Sequence, residues 1–119
     1  MKRILYYCIL VLAIQGCYYD IEEELYPTLD CNTTSLAYTE HILPIIENNC
    51  YSCHDMANNF GNVTLEGHSN LLLYVNNNQL LGVIRHDSGF SPMPKNAPQL
   101  LECEIQKIEQ WIADGAPNN

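Results

Sequence analysis

The sequence predicts a small all-α domain, and three observations lead there. Apolar residues recur at helical spacing in Ile42, Leu43, Ile45 and Ile46, and again in Ile105, Ile108, Trp111 and Ile112. Between these stretches, shorter apolar pieces are separated by clusters of asparagine, glycine and proline, which break regular structure. No βαβ pattern is visible, and there is no internal repeat or low-complexity tract. A length of 119 residues favours one folded unit, and a hydrophobic fraction of 47% is ordinary for one. Such a core is small, so covalent staples would help it.

The elements follow in chain order. Lys2 and Arg3 form a short positive region, and Ile4 to Ala13 an apolar run broken by Tyr6, Tyr7 and Cys8. That run is too short to span a bilayer and reads as an export signal over residues 1–16. Ile14-Gln15-Gly16-Cys17 resembles the lipobox of bacterial lipoproteins, with an aliphatic residue three before the cysteine and glycine just before it; Gln15 is unusual there. In that family the cysteine becomes the new N-terminus and carries the acyl chains. The resemblance therefore makes Cys17 a lipid anchor, rather than an incidental thiol. Residues 17–30 read as a tether, acidic through Asp20, Glu22, Glu23 and Glu24, without helix caps and interrupted by Pro27. Its acidic run also resembles signals that move lipoproteins to the cell surface in Bacteroidetes.

The folded domain is expected from Cys31 to Asn119. Asn32 to Ser35 are turn formers and Thr39 is a candidate helix cap. The first helix then carries Ile42 to Ile46 and is expected to end at Asn48-Asn49; it properly begins near Pro44, where a missing N–H does no harm. Asn58 to Gly67 reads as irregular loop. Ser69 is a candidate cap for a helix through Leu71, Leu72, Leu73, Tyr74 and Val75, stopped by Asn76-Asn77-Asn78. Leu80 to Ile84 is a second short piece. Gly89, Pro92, Pro94 and Pro98 make Ser88 to Pro98 a loop. A last helix runs from about Leu101 to Asp114, stopped by Gly115 and Pro117.

Charge narrows the function classes. The whole chain carries 5 Lys+Arg and 14 Asp+Glu, a net −9. Removal of residues 1–16 takes away Lys2 and Arg3 and no acid, which leaves −11. So acidic a surface argues against nucleic acid and against docking on anionic lipid, and it allows steering towards a basic protein partner.

Cys50-Tyr51-Ser52-Cys53-His54 is the strongest chemical signal. Two cysteines on one turn can form thioethers with the two vinyl groups of a haem, and the adjacent histidine is then held under the iron. A zinc half-site would need a second ligand pair, and the other cysteines are isolated. A thioredoxin-like redox motif would need a βαβ setting. A local Cys50–Cys53 disulfide would leave His54 without a role. The motif therefore points to one covalent haem c, with Cys50 and Cys53 as attachment points and His54 as an iron ligand. For the sixth position Met93 is the leading candidate: it lies between Pro92 and Pro94 on a stiff loop, and a thioether favours reduced iron. Met56 is only two residues past His54 and would be trapped on the same side as that histidine. His86 is the main rival, followed by His41 and His68, and a core-filling role for Met93 stays open.

Taken together these pieces resemble a monohaem class I cytochrome c domain of the kind found in Bacteroidetes lipoproteins. The resemblance covers Cys31 to Asn119. It rests on Ile42-x-Pro44-Ile45-Ile46 before the haem motif, on Ile84-Arg85-His86-Asp87 to Phe90-Ser91-Pro92-Met93-Pro94, and on Ile108-x-x-Trp111-Ile112 to Gly115-Ala116-Pro117. It implies a small all-α fold whose first and last helices cross beside the haem, with histidine and methionine on the iron. The interval from His54 to Met93 is compact, so the loops between must be short. Because those helices cross in the family, the resemblance also makes a Cys31–Cys103 disulfide sensible. The function it implies is single-electron transfer between redox proteins, from the periplasm or the cell surface, with no small-molecule substrate and no enzymatic activity. A haem peroxidase or a gas or redox sensor with an open iron site is the alternative. The family does not identify the redox partner.

Overall fold

The computed structural model describes residues 31–119. The signal, the tether and Cys17 lie outside the described residues. Among the described residues there are four α-helices and no strand, in agreement with the all-α expectation. We label them α1 (Leu43–His54), α2 (His68–Asn76), α3 (Gln79–Ile84) and α4 (Glu102–Ala113). No helix among the described residues is long and apolar enough to cross a membrane.

The start of α1 departs from the sequence expectation. A π-type turn over Tyr38–Ile42 runs straight into it. Pro44 has no N–H to donate to that turn, and the turn before it takes the wider winding. Thr39 is not the cap. Its N–H and its hydroxyl both donate to the main-chain oxygen of Asn119, each at 3.0 Å, and the Tyr38 N–H donates to Asn119 Oδ1 at 2.8 Å. The orphan donors at the start of this helix are therefore met by the other end of the chain.

The end of α1 differs more consequentially. The helix does not stop at Asn48-Asn49 but continues to His54. Asparagine is a weak helix former because its amide competes for backbone partners. Here the Asn49 amide donates to the Ile45 carbonyl of its own helix at 2.9 Å, so the competition is turned inward, while buried Ile45 and Ile46 hold the helix on the core. The whole Cys50–His54 motif is consequently helical.

Ser69 does not cap α2 either. Gly67, at φ 87°, occupies the cap position and its carbonyl accepts the first helical bond from Leu71 at 3.1 Å. The expected stop after α2 is present: Asn78 takes the left-handed conformation, which asparagine tolerates better than most residues, and α3 starts at once. α4 opens with the Glu104 carboxylate accepting the Leu101 N–H at 3.1 Å, and it closes at Gly115, φ 93°, with the Ala116 N–H reaching back to the Trp111 carbonyl at 2.8 Å.

The core gathers the apolar faces of all four helices. Ile42, Ile46, Leu71, Ile84, Ile108 and Trp111 are fully buried. The Tyr38 ring stacks on Trp111 with centroids 5.8 Å apart, His68 meets Tyr38 edge-on at 4.9 Å, and the Trp111 indole N–H donates to the Pro117 carbonyl at 3.0 Å. No polar side chain is fully buried among the described residues.

Cys31 and Cys103 are joined in the structure, with their Cα atoms 5.5 Å apart and a sequence separation of 72. The bridge ties the segment ahead of the first turn to the start of α4. Closing so long a loop restricts the unfolded chain, so the Cys31→Ser, Cys103→Ser double variant should be less stable by ~2–4 kcal/mol. In a thermal melt that corresponds to a fall of roughly 10 °C or more for a domain of this size. An unchanged melting curve would count against a bridge in the native protein.

Candidate functional site

One face of α1 supplies the chemistry. Cys50, Cys53 and His54 stand at positions i, i+3 and i+4 of the same helix, the spacing that places side chains on one face. All three line a cleft of about 460 Å³, within the size range of small-molecule and cofactor pockets. Val63 and Leu65 from the loop after α1, Leu80, Val83 and Ile84 from α3, and Leu100 give it largely apolar walls. Met93 and Pro94 line the same cleft from the loop after α3.

Each of these side chains has a definite setting. His54 Nδ1 lies 3.2 Å from the carbonyl oxygen of Val63. A carbonyl only accepts, so Nδ1 carries the proton and donates. The lone pair of the neutral imidazole is then on Nε2, and the ring plane is held by a main-chain partner. The Leu65 N–H in turn donates to the His54 carbonyl at 2.7 Å, so the loop is bonded to this residue twice. Cys50 and Cys53 are free thiols, the first half-buried and the second exposed. Burial, with a smaller contribution from the nearby Glu104 carboxylate, pushes the Cys50 thiol up to about 11, so it stays neutral near pH 7.

Met93 is half-buried, and its N–H donates to the Val83 carbonyl of α3 at 2.9 Å. The rivals weighed from sequence are elsewhere. Met56 is 67% exposed and does not line the cleft. His41 Nδ1 accepts the Ala37 N–H at 3.1 Å, and His68 Nε2 donates to the Ala116 carbonyl at 2.9 Å. His86 is exposed and outside the cleft, with Nε2 donating to the Met93 carbonyl at 3.0 Å. Of the methionines and remaining histidines considered as partners for His54, Met93 is the one lining the cleft.

Several contributors carried no sequence signal. The Val63 carbonyl is a main-chain group of an irregular segment, and its bond to His54 depends only on how that segment folds back. Phe60, 63% exposed, and Lys95 stand at the cleft wall without belonging to any motif. Gly82 reads as a weakness in a short helix, yet a Cβ there would lie 2.6 Å from the Phe90 ring. The glycine admits that ring and so seats the loop that carries Met93 on α3.

The residues present fit a covalently bound haem: two thiols one helical turn apart, an imidazole with its Nε2 lone pair free, a thioether, and apolar walls. They do not make a protein-only metal cage, since no three His, Cys, Asp or Glu side chains converge as one among the described residues. No family model, curated protein or solved structure matches the chain.

Proposed function

We propose that this chain is an exported, lipid-anchored c-type cytochrome that carries single electrons between redox proteins, with the small cytochrome c-like fold that its motifs resemble. The observation that carries the reading is the joint lining of one apolar cleft by Cys50, Cys53, His54 and Met93, with His54 Nδ1 already engaged by the Val63 carbonyl. Cys50 and Cys53 would hold the haem by thioethers. His54 would bind iron through Nε2, with the Val63 carbonyl fixing the plane of its ring and raising its basicity. Met93, from its loop, would supply the second protein ligand. When bound, the haem supplies a one-electron ferric–ferrous couple. The apolar side chains around it keep water away, and the thioether of Met93 favours the reduced state, so both raise the potential.

A carrier needs a closed iron site, and that is directly measurable. The ferric protein should show the red charge-transfer band of methionine sulfur on iron, and the ferrous protein should bind carbon monoxide poorly. An absent band with ready carbon monoxide binding would overturn the carrier reading in favour of a peroxidase or a gas or redox sensor.

The anchor belongs to the same proposal. Cys17 carries the acyl chains, and Cys17→Ser should move the protein from the membrane to the soluble fraction. One acyl chain gives only marginal membrane binding, so firm retention of the native protein implies more than one. Retention of the Cys17→Ser protein would assign the attachment to another anchor. The net charge of −11 left after removal of residues 1–16 suits a redox partner with a basic docking face.

A further inference from the structure

Met93 reaches the cleft from a loop that has neither helix nor strand to hold it, so something else must set where its sulfur stands. Both of its main-chain polar groups are engaged. The N–H donates to Val83 on α3 at 2.9 Å, and the carbonyl accepts from His86 Nε2 at 3.0 Å. The His86 ring comes into position through its backbone. α3 ends at Ile84, and His86 takes φ 57°, a left-handed conformation uncommon outside glycine. The Asp87 N–H then reaches back to the Gly82 carbonyl at 2.9 Å, so the chain reverses at His86. Further along, Phe90 lies against Gly82. The turn, the ring contact and the His86–Met93 bond thus seat one segment, from His86 to Met93, on one short helix.

We propose that His86 is a positioning residue for Met93: its imidazole, donating to the Met93 carbonyl, holds the loop in the placement that keeps the methionine sulfur in the cleft. This rests on the cytochrome reading. His86, a rival for the iron on sequence grounds, acts instead through the residue it competed with. The exposed side chain does not line the cleft and has a hydrogen-bond partner in the Met93 carbonyl. Without that bond the Met93 carbonyl turns to water, the loop opens more often, and an external ligand displaces the sulfur more easily.

The test compares the haem-loaded native protein with His86→Leu, which cannot donate, and His86→Gln, whose amide can. Covalent haem is first counted by mass. Imidazole is then titrated into the ferric protein while the methionine–iron band is followed. Loss of one ordinary hydrogen bond should let imidazole displace the sulfur at ~2–10-fold lower concentration in His86→Leu, with His86→Gln recovering most of the difference. The haem content and the melting temperature should stay close to native, which separates positioning from general destabilisation. An unchanged titration in His86→Leu overturns the proposal. Loss of the native low-spin spectrum in both variants also overturns it, because His86 would then be bonded to iron itself. A native protein without a haem adduct overturns the functional reading, and this proposal with it, at the first measurement.

Discussion

The mature protein purified from cells with working haem-attachment machinery should carry one haem as a covalent mass adduct, and this should depend on three residues of α1. Cys50→Ala and Cys53→Ala should each retain at most one thioether. His54→Ala should abolish the stable low-spin species altogether, since on the proposed reading the imidazole held by the Val63 carbonyl is the iron ligand that α1 supplies. The His54→Ala loss is the all-or-none effect, whereas each cysteine variant keeps the other thiol on the same helical face. The two cysteines should not be equivalent. Cys53 is exposed, whereas Cys50 is half-buried beside the core, so Cys50→Ala also removes packing and should lower stability more. Mass spectrometry of the intact protein and the visible spectrum check all three variants. A folded, adduct-free native protein from such cells would sink the haem assignment.

Met93→Ala should open the sixth position to water or a small gas and lower the reduction potential. Sulfur stabilises ferrous iron relative to harder ligands, and axial ligands set haem potentials over a range of about 0.8 V. Electron exchange should slow, because the iron would then change its ligands on each cycle. Stability should fall as well, since the Phe90–Pro94 segment would lose its tether to the iron and keep only protein contacts such as the Val83 and His86 bonds and the Phe90–Gly82 contact. Met56→Ala is the control: its side chain is 67% exposed and outside the cleft, so spectrum and potential should stay nearly native. Potentiometry with carbon monoxide titration reads the outcome. A Met93→Ala protein that kept its low-spin spectrum and potential would give the position to a histidine and make the chain a carrier of lower potential.

How much of this was legible depended on whether the deciding contacts are local. The helix breaks at Asn76-Asn77-Asn78 and Gly115 were readable, because a left-handed residue or a glycine stop acts within a few residues. The loop from Ser88 to Pro98 was readable from its glycine and prolines for the same reason. That Cys50, Cys53 and His54 fall together was readable because they are near neighbours in sequence, and at i, i+3 and i+4 of one helix they share a face. The Cys31–Cys103 pairing came through the family resemblance, and it is present in the structure.

By itself, then, the sequence determined the helical class, the elements and their approximate breaks, and the reactive groups of the motif, all of which follow from short-range sterics and covalent adjacency. Tertiary structure alone decided what those groups face. It carried α1 past Asn48-Asn49 to His54, because Ile45 and Ile46 are buried and the Asn49 amide finds the Ile45 carbonyl. It passed the capping of the first turn from Thr39 to Asn119, 81 residues after Tyr38. It gave the proton on His54 to Nδ1 through the Val63 carbonyl, and it put Met93 in the cleft while leaving His86 outside it, bonded to the Met93 carbonyl. Apart from the Asn119 side-chain oxygen, the hydrogen-bond partners here are main-chain carbonyls, identical at every residue. Nothing in a sequence marks which carbonyl will be used, and only the packing of the apolar core brings one of them within 3 Å or so of a particular ring.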